Sequence, residues 1–142
     1  MNSIDILIVD DNPSDAELTI RAIKKSIANV QIFHVKDGAE AIEFLLSSGS
    51  YSNRATSTKP KVIFLDLKMP MMNGFDTLKV IRANELISTI PVVIYSSSNQ
   101  PEDLTLSQKL GVNSYVVKPI ESEKFSLIAA AMGNYWLNIH QQ

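Results

Sequence analysis

The chain is predicted to fold as a doubly wound α/β domain, five parallel strands in the order 2-1-3-4-5 with helices on both faces. Three observations lead there. Val62 to Leu67 (Val-Ile-Phe-Leu-Asp-Leu) is apolar at five of six positions, too continuous for a strand with one wet face, and so reads as buried on both. Such segments alternate five times with helix-periodic stretches, the pattern of parallel strands joined by right-handed crossovers. Four of the strands also give way to polar residues at the same edge: Asp10-Asp11 after the first, Asp66 in the third, Ser96 after the fourth and Lys118 after the fifth.

Taken in order, Ile4 to Val9 is the first buried strand and ends in Asp10-Asp11-Asn12-Pro13. Ser14 stands three residues before Glu17, a capping-box pattern that starts a helix, and Ala16, Ile20, Ile23 and Ile27 form its apolar stripe. Val30 to Val35 alternates for part of its length and suits a strand nearer the sheet edge. Asp37, three before Glu40, caps a helix running through Ala41, Phe44 and Leu45 to about Ser48. Gly49 to Pro60, rich in Ser, Thr and Asn, is a solvated connector, long for a compact domain.

After the central strand, Lys68-Met69-Pro70 is loop, with its methionines as adaptable packing. Asn73-Gly74 opens a helix carrying Phe75, Leu78 and Ile81. Pro91 introduces the strand Val92 to Tyr95, followed by Ser96-Ser97-Ser98. Pro101 fits the first turn of a helix that Gly111 closes. Asn113 to Val117 is the fifth strand, and Lys118-Pro119 ends it. The last helix spaces Phe125, Ile128, Met132, Tyr135 and Ile139 along one face.

The totals narrow the function. At 142 residues the chain is read as one domain, residues 1–142. A net charge of −2 leaves no basic footprint for nucleic acid or a membrane surface. With no cysteine, disulfides and thiolate zinc sites are excluded. No apolar run approaches the roughly 18 to 20 residues of a membrane span, and the amino terminus lacks a signal peptide's regions. The expected address is the cytoplasm.

If the strand order is 2-1-3-4-5, the switch point lies between strands one and three, where ligands of open α/β sheets bind. Asp10, Asp11 and Asp66 meet there. Taken alone, Asp66 serves equally well as a cap of the following turn. Three converging carboxylates, however, repel and raise one another's pKa unless a cation holds them. Oxygen-only ligands favour a hard cation such as Mg²⁺. Ser96 and Lys118 then remain to hold anionic oxygens, which makes a site for phosphoryl transfer to an aspartate.

In those residues the chain resembles the receiver domain of bacterial two-component response regulators, over essentially its whole length. The match lies in Asp10-Asp11, the run Asp66-Leu67-Lys68-Met69-Pro70 with Gly74, Ser96, Tyr115 and Lys118-Pro119. The resemblance implies a flavodoxin-like fold. It implies that Asp66 accepts phosphate from a sensor histidine kinase or phosphotransfer protein. Asp10, Asp11, Asp66 and the backbone carbonyl of Lys68 would hold Mg²⁺, and Ser96 and Lys118 would bind the phosphoryl oxygens. Ser96 and Tyr115 would form the switch, Tyr115 moving inward when Ser96 turns to the phosphoryl group. A cis Lys118–Pro119 bond is expected.

The domain is thus expected to be a signalling switch rather than an enzyme, with no fused output domain, so that its output is contact with an unidentified downstream protein; a homodimer is left open. A phosphatase of the aspartyl-phosphate type would carry Asp-x-Asp after the first strand, and a nucleotide module would need a glycine-rich loop. Neither is present. Ser96 stands where Thr is more frequent in the family. The long connector and the Tyr135-Trp136-Leu137 ending resemble small receivers that serve phytochrome-type kinases. His34 and His140 are isolated and read as surface or core residues.

Overall fold

The structure, a computed structural model, describes residues 3–54 and 59–139. Five strands, β1 (Ile6–Val9), β2 (Ile32–Val35), β3 (Val62–Leu65), β4 (Val92–Ser96) and β5 (Ser114–Val117), form one parallel sheet in the order β2-β1-β3-β4-β5. Five α-helices join and follow them: α1 (Pro13–Ser26), α2 (Gly38–Leu46), α3 (Gly74–Ala83), α4 (Pro101–Lys109) and α5 (Ser122–Asn134). This is the doubly wound sheet expected from the alternation of segments, in the flavodoxin-like form that the resemblance implies. Val9 pairs with both Val35 and Leu65, so the residues that follow β1 and β3 emerge side by side.

Alternation along the strands divides the core into two layers. Leu7, Val9, Ile63 and Leu65 face Phe44, Leu45, Leu78 and Ile81 of α2 and α3. Ile6, Ile8, Val62 and Phe64 face Ala16 and Ile23 of α1 and Phe125, Ala129 and Met132 of α5. By contrast, α4 buries only Ser107 and leaves Leu104 and Leu106 exposed. It is the helix least held by the core.

Several local expectations are corrected. Helix α1 is capped by Asn12, not Ser14: Pro13 lacks an N–H and has its φ preset, so it takes the first helical position, and the Asn12 side chain accepts from Asp15 N at 3.1 Å. Glu17 pairs instead with Arg21. Ile20 is only partly covered, while Thr19, its hydroxyl bonded to the Asp15 carbonyl, is buried. The second strand begins at Ile32 rather than Val30, and α2 stops at Leu46 because Ser47 turns left-handed, φ 53°.

The connector is not simply solvated. Residues Gly49–Tyr51 form a 3₁₀ turn, and Tyr51 packs edge-on against Phe33 and Phe44 and donates to Glu40 at 2.6 Å. Residues 55–58 of it lie outside the described residues, as does His140. The last helix changes to a wider π-helical turn at Tyr135–Ile139, which buries Trp136 and leaves Tyr135 exposed. The Lys118–Pro119 bond is trans, not cis, the isomer X–Pro bonds intrinsically prefer. Among the described residues no helix is long and apolar enough to cross a membrane.

Candidate functional site

The site is built where β1 and β3 end. Asp10 N donates to Val35 O at 3.1 Å and Asp66 N to Val9 O at 2.9 Å, so sheet bonding fixes both backbones. Asp66 Oδ1 accepts from Leu67 N at 2.7 Å, and Asp10 Oδ1 from Asn12 N at 2.9 Å. Gly74 closes the loop behind Asp66, donating to Leu67 O at 2.9 Å. A Cβ at Gly74 would lie 2.3 Å from Asp66 O and 2.8 Å from Leu67 Cα, so only glycine allows this approach. Asp10 and Asp66 are buried and Asp11 is exposed. One oxygen from each of the three lies within 4.8 Å of the others.

Lys118 enters from the end of β5, its backbone N–H bonded to Ser96 O at 2.7 Å. Its Nζ donates to Asp10 Oδ2 at 2.8 Å, Asp15 Oδ2 at 3.0 Å and Asp66 Oδ2 at 3.1 Å. An ammonium has three donors, and all three are used on carboxylates. Burial pulls the Lys118 ammonium toward release of its proton. The hydrogen bond and charge of Asp10 and the charge of Asp66 outweigh this and hold its pKa above the ordinary lysine range. Burial pushes the Asp10 carboxyl up to about 6, Lys118 opposing the rise and Asp66 adding to it.

Asp15 is the site residue that reading the sequence missed. An acid in the first turn of a helix serves equally as a complement to the helix dipole, so nothing local marks it. His34 was read as isolated, yet its Nε2 lies 2.7 Å from the Asp10 carbonyl, because β2 neighbours β1.

Ser96 is fully buried, and its Oγ accepts from Ser98 N at 3.2 Å. The Ser98 carbonyl accepts from the Tyr115 hydroxyl at 2.9 Å, and the Ser98 hydroxyl donates to Asp103 of α4 at 2.5 Å. The Tyr115 ring is half-buried and its hydroxyl is satisfied by that bond. Lys68, Met69 and Pro70 line an open cleft of about 480 Å³ with Asp11, Phe75 and Asp103. Lys68 is exposed and makes no salt bridge among the described residues.

The response regulator receiver domain model matches residues 6–130. The chain belongs to that family. It is therefore a receiver of two-component phosphorelay signalling, and its role is that of a signalling switch. This receiver is 31% identical over 132 residues to response regulator Rcp1 of Synechocystis sp., covering 93% of this chain and 88% of Rcp1. The Mn²⁺-bound form of Rcp1 matches with a TM-score of 0.89 at 29% identity, over 97% of each chain. The phosphorylated cyanobacterial phytochrome response regulator RcpA gives a TM-score of 0.91 at 30% identity, over 99% of this chain and 98% of that one. The bacteriophytochrome response regulator AtBRR gives 0.76 at 36% identity, over 100% and 97%.

Receivers bind a divalent metal, and the donor set here fits one. The three carboxylates offer oxygen only, converge closely, and include a buried member that burial makes reluctant to ionise. A hard dication relieves that repulsion.

Proposed function

We propose that this chain is a single receiver domain over residues 1–142 in which Asp66 accepts a phosphoryl group from a sensor histidine kinase or phosphotransfer protein. The observation that carries the reading is the convergence of Lys118 Nζ on both Asp10 and Asp66, within the trio of close carboxylates. A carboxylate oxygen of Asp66 attacks phosphorus, the bond from phosphorus to the donor's imidazole nitrogen breaks, and the imidazole leaves. Lys118 and the hydroxyl of Ser96 hold the phosphoryl oxygens and offset the charge that gathers there.

Asp10, Asp11, Asp66 and the Lys68 carbonyl would hold Mg²⁺. When bound, Mg²⁺ supplies charge neutralisation of the carboxylates and of the phosphoryl oxygens. Water attack on phosphorus later restores the Asp66 carboxylate and releases inorganic phosphate.

Output follows from the Ser96–Ser98–Tyr115 chain. A Ser96 hydroxyl drawn to the phosphoryl group alters its contact with Ser98 N, and Ser98 in turn touches both Tyr115 and Asp103 of the lightly packed α4. The resulting surface change is read by a downstream protein or a second copy of the chain. Phytochrome-type histidine kinases are the donor class to which RcpA and AtBRR point, and a cytoplasmic location belongs to the same reading.

The test is incubation with Mg²⁺ and labelled acetyl phosphate. Label retained by the wild type and absent from Asp66→Asn supports the acceptor. An Asp66→Asn protein labelled to wild-type stoichiometry refutes it.

A further inference from the structure

The three partners of Lys118 are not equivalent. Asp10 and Asp66 belong to the carboxylate trio, whereas Asp15 does not. Asp15 is placed by the first turn of α1: its N–H is held by Asn12 Oδ1 at 3.1 Å, and its carbonyl accepts the Thr19 hydroxyl at 2.9 Å. Its side chain is 28% exposed, against 5% for Lys118. The ammonium is thus bonded on one side to the groups that would take a metal, and on the other to a carboxylate that would not.

When Asp10 and Asp66 turn their oxygens to a divalent cation, Lys118 loses much of its hold and faces a second positive charge. So enclosed a side chain has little water to replace those bonds, and a buried charge without partners is strongly disfavoured. Asp15 remains as the acceptor. We propose that Asp15 is a positioning residue that takes over the Lys118 ammonium as Asp10 and Asp66 turn to the metal, lowering the cost of releasing those carboxylates and so strengthening metal binding without touching the metal. This rests on the reading of the trio as a divalent-cation site. A role limited to complementing the helix dipole would act on α1 whether or not Lys118 is charged.

The test is calorimetric titration of Mg²⁺ into wild type, Asp15→Asn, Asp15→Glu, Lys118→Met and the Asp15→Asn/Lys118→Met double variant. Asp15→Asn is expected to weaken Mg²⁺ binding roughly three- to fivefold, the scale of one partly exposed charge contact. Asp15→Glu restores most of it, and the loss shrinks below about twofold in the Lys118→Met background, where no ammonium needs an anchor. A ¹⁵N signal from the Lys118 ammonium, protected from exchange with water in Mg²⁺-loaded wild type, should vanish in Asp15→Asn. Unchanged affinity in Asp15→Asn, or an equal loss in both backgrounds, overturns the proposal, the second outcome marking a bare field effect. Wild type that takes up no Mg²⁺ overturns the cation-site reading and this one with it.

Discussion

The Tyr115 hydroxyl donates to the carbonyl of Ser98 at 2.9 Å, tying β5 to the segment that follows β4. The same Ser98 gives its N–H to Ser96 Oγ and its hydroxyl to Asp103. Ser96 and Tyr115 are therefore linked through one residue, and Ser96→Ala removes the first link. The bond that the Ser96 hydroxyl would donate to a phosphoryl oxygen, also lost in the variant, is charge-assisted and worth roughly 1.5 to 3 kcal/mol, enough to shift a balanced equilibrium about tenfold or more. The alanine variant should still accept phosphate on Asp66 yet lose the phosphorylation-dependent shifts of Tyr115 and α4 amides. Nuclear magnetic resonance spectra that respond equally in both proteins would rule the coupling out.

Gly74→Ala should damage fold and site together. Its Cβ meets the backbone of Asp66 and Leu67, which cannot rotate away as a side chain can. Overpacking of this kind typically costs about 1 to 3 kcal/mol. Urea unfolding should show that loss, and labelling by acetyl phosphate should slow because Asp66 is displaced. An alanine variant with wild-type stability and labelling rate would mean that the loop yields freely.

Metal affinity should fall in mild acid. Burial raises the Asp10 carboxyl to about 6, so below that pH a proton must leave before the carboxylate can bind metal. The sign is that of proton competition: affinity is highest above pH 6 and about tenfold weaker near pH 5. Mg²⁺ titrations at pH 5 and pH 8 measure it directly, and equal affinities would contradict the raised carboxyl. In the metal-free protein the same shift reverses the usual carboxylate effect, so this group's contribution to stability declines as pH rises from the ordinary aspartate value toward 6.

Lys68→Ala should shorten the phosphorylated state. The Lys68 side chain is exposed at the cleft lined by Asp11 and Leu67 and engaged in no salt bridge among the described residues. A protonated lysine there would pair with phosphoryl oxygens and obstruct attacking water, having no lone pair with which to orient it. Loss of label from Asp66 is expected to quicken several-fold with uptake unchanged. A slower or equal decay would count against shielding.

The alternation of strands and helices, and the gathering of Asp10, Asp11, Asp66 and Lys118 at one sheet edge, were legible because continuous apolar runs end in polar residues there. What escaped was set by tertiary neighbours. Asp15 looks like any acid in a first helical turn until β5 delivers Lys118 to it. His34 has no local motif, and only the β1–β2 register brings it to the Asp10 carbonyl. The capping box at Ser14 was a true local pattern, overridden by Pro13. Tyr51 sat in a polar connector, and its place against Phe33 and Phe44 depends on packing that spacing does not encode.

The three bonds of Lys118 also bear on how such a domain endures when metal is scarce. Converging carboxylates ordinarily threaten the architecture that gathers them, yet here the fold carries its own counter-ion on a tether. On the proposed reading, folding would therefore not depend on metal supply. Depletion of the ion would silence the receiver without unravelling it, leaving an intact pool to answer once the ion returns.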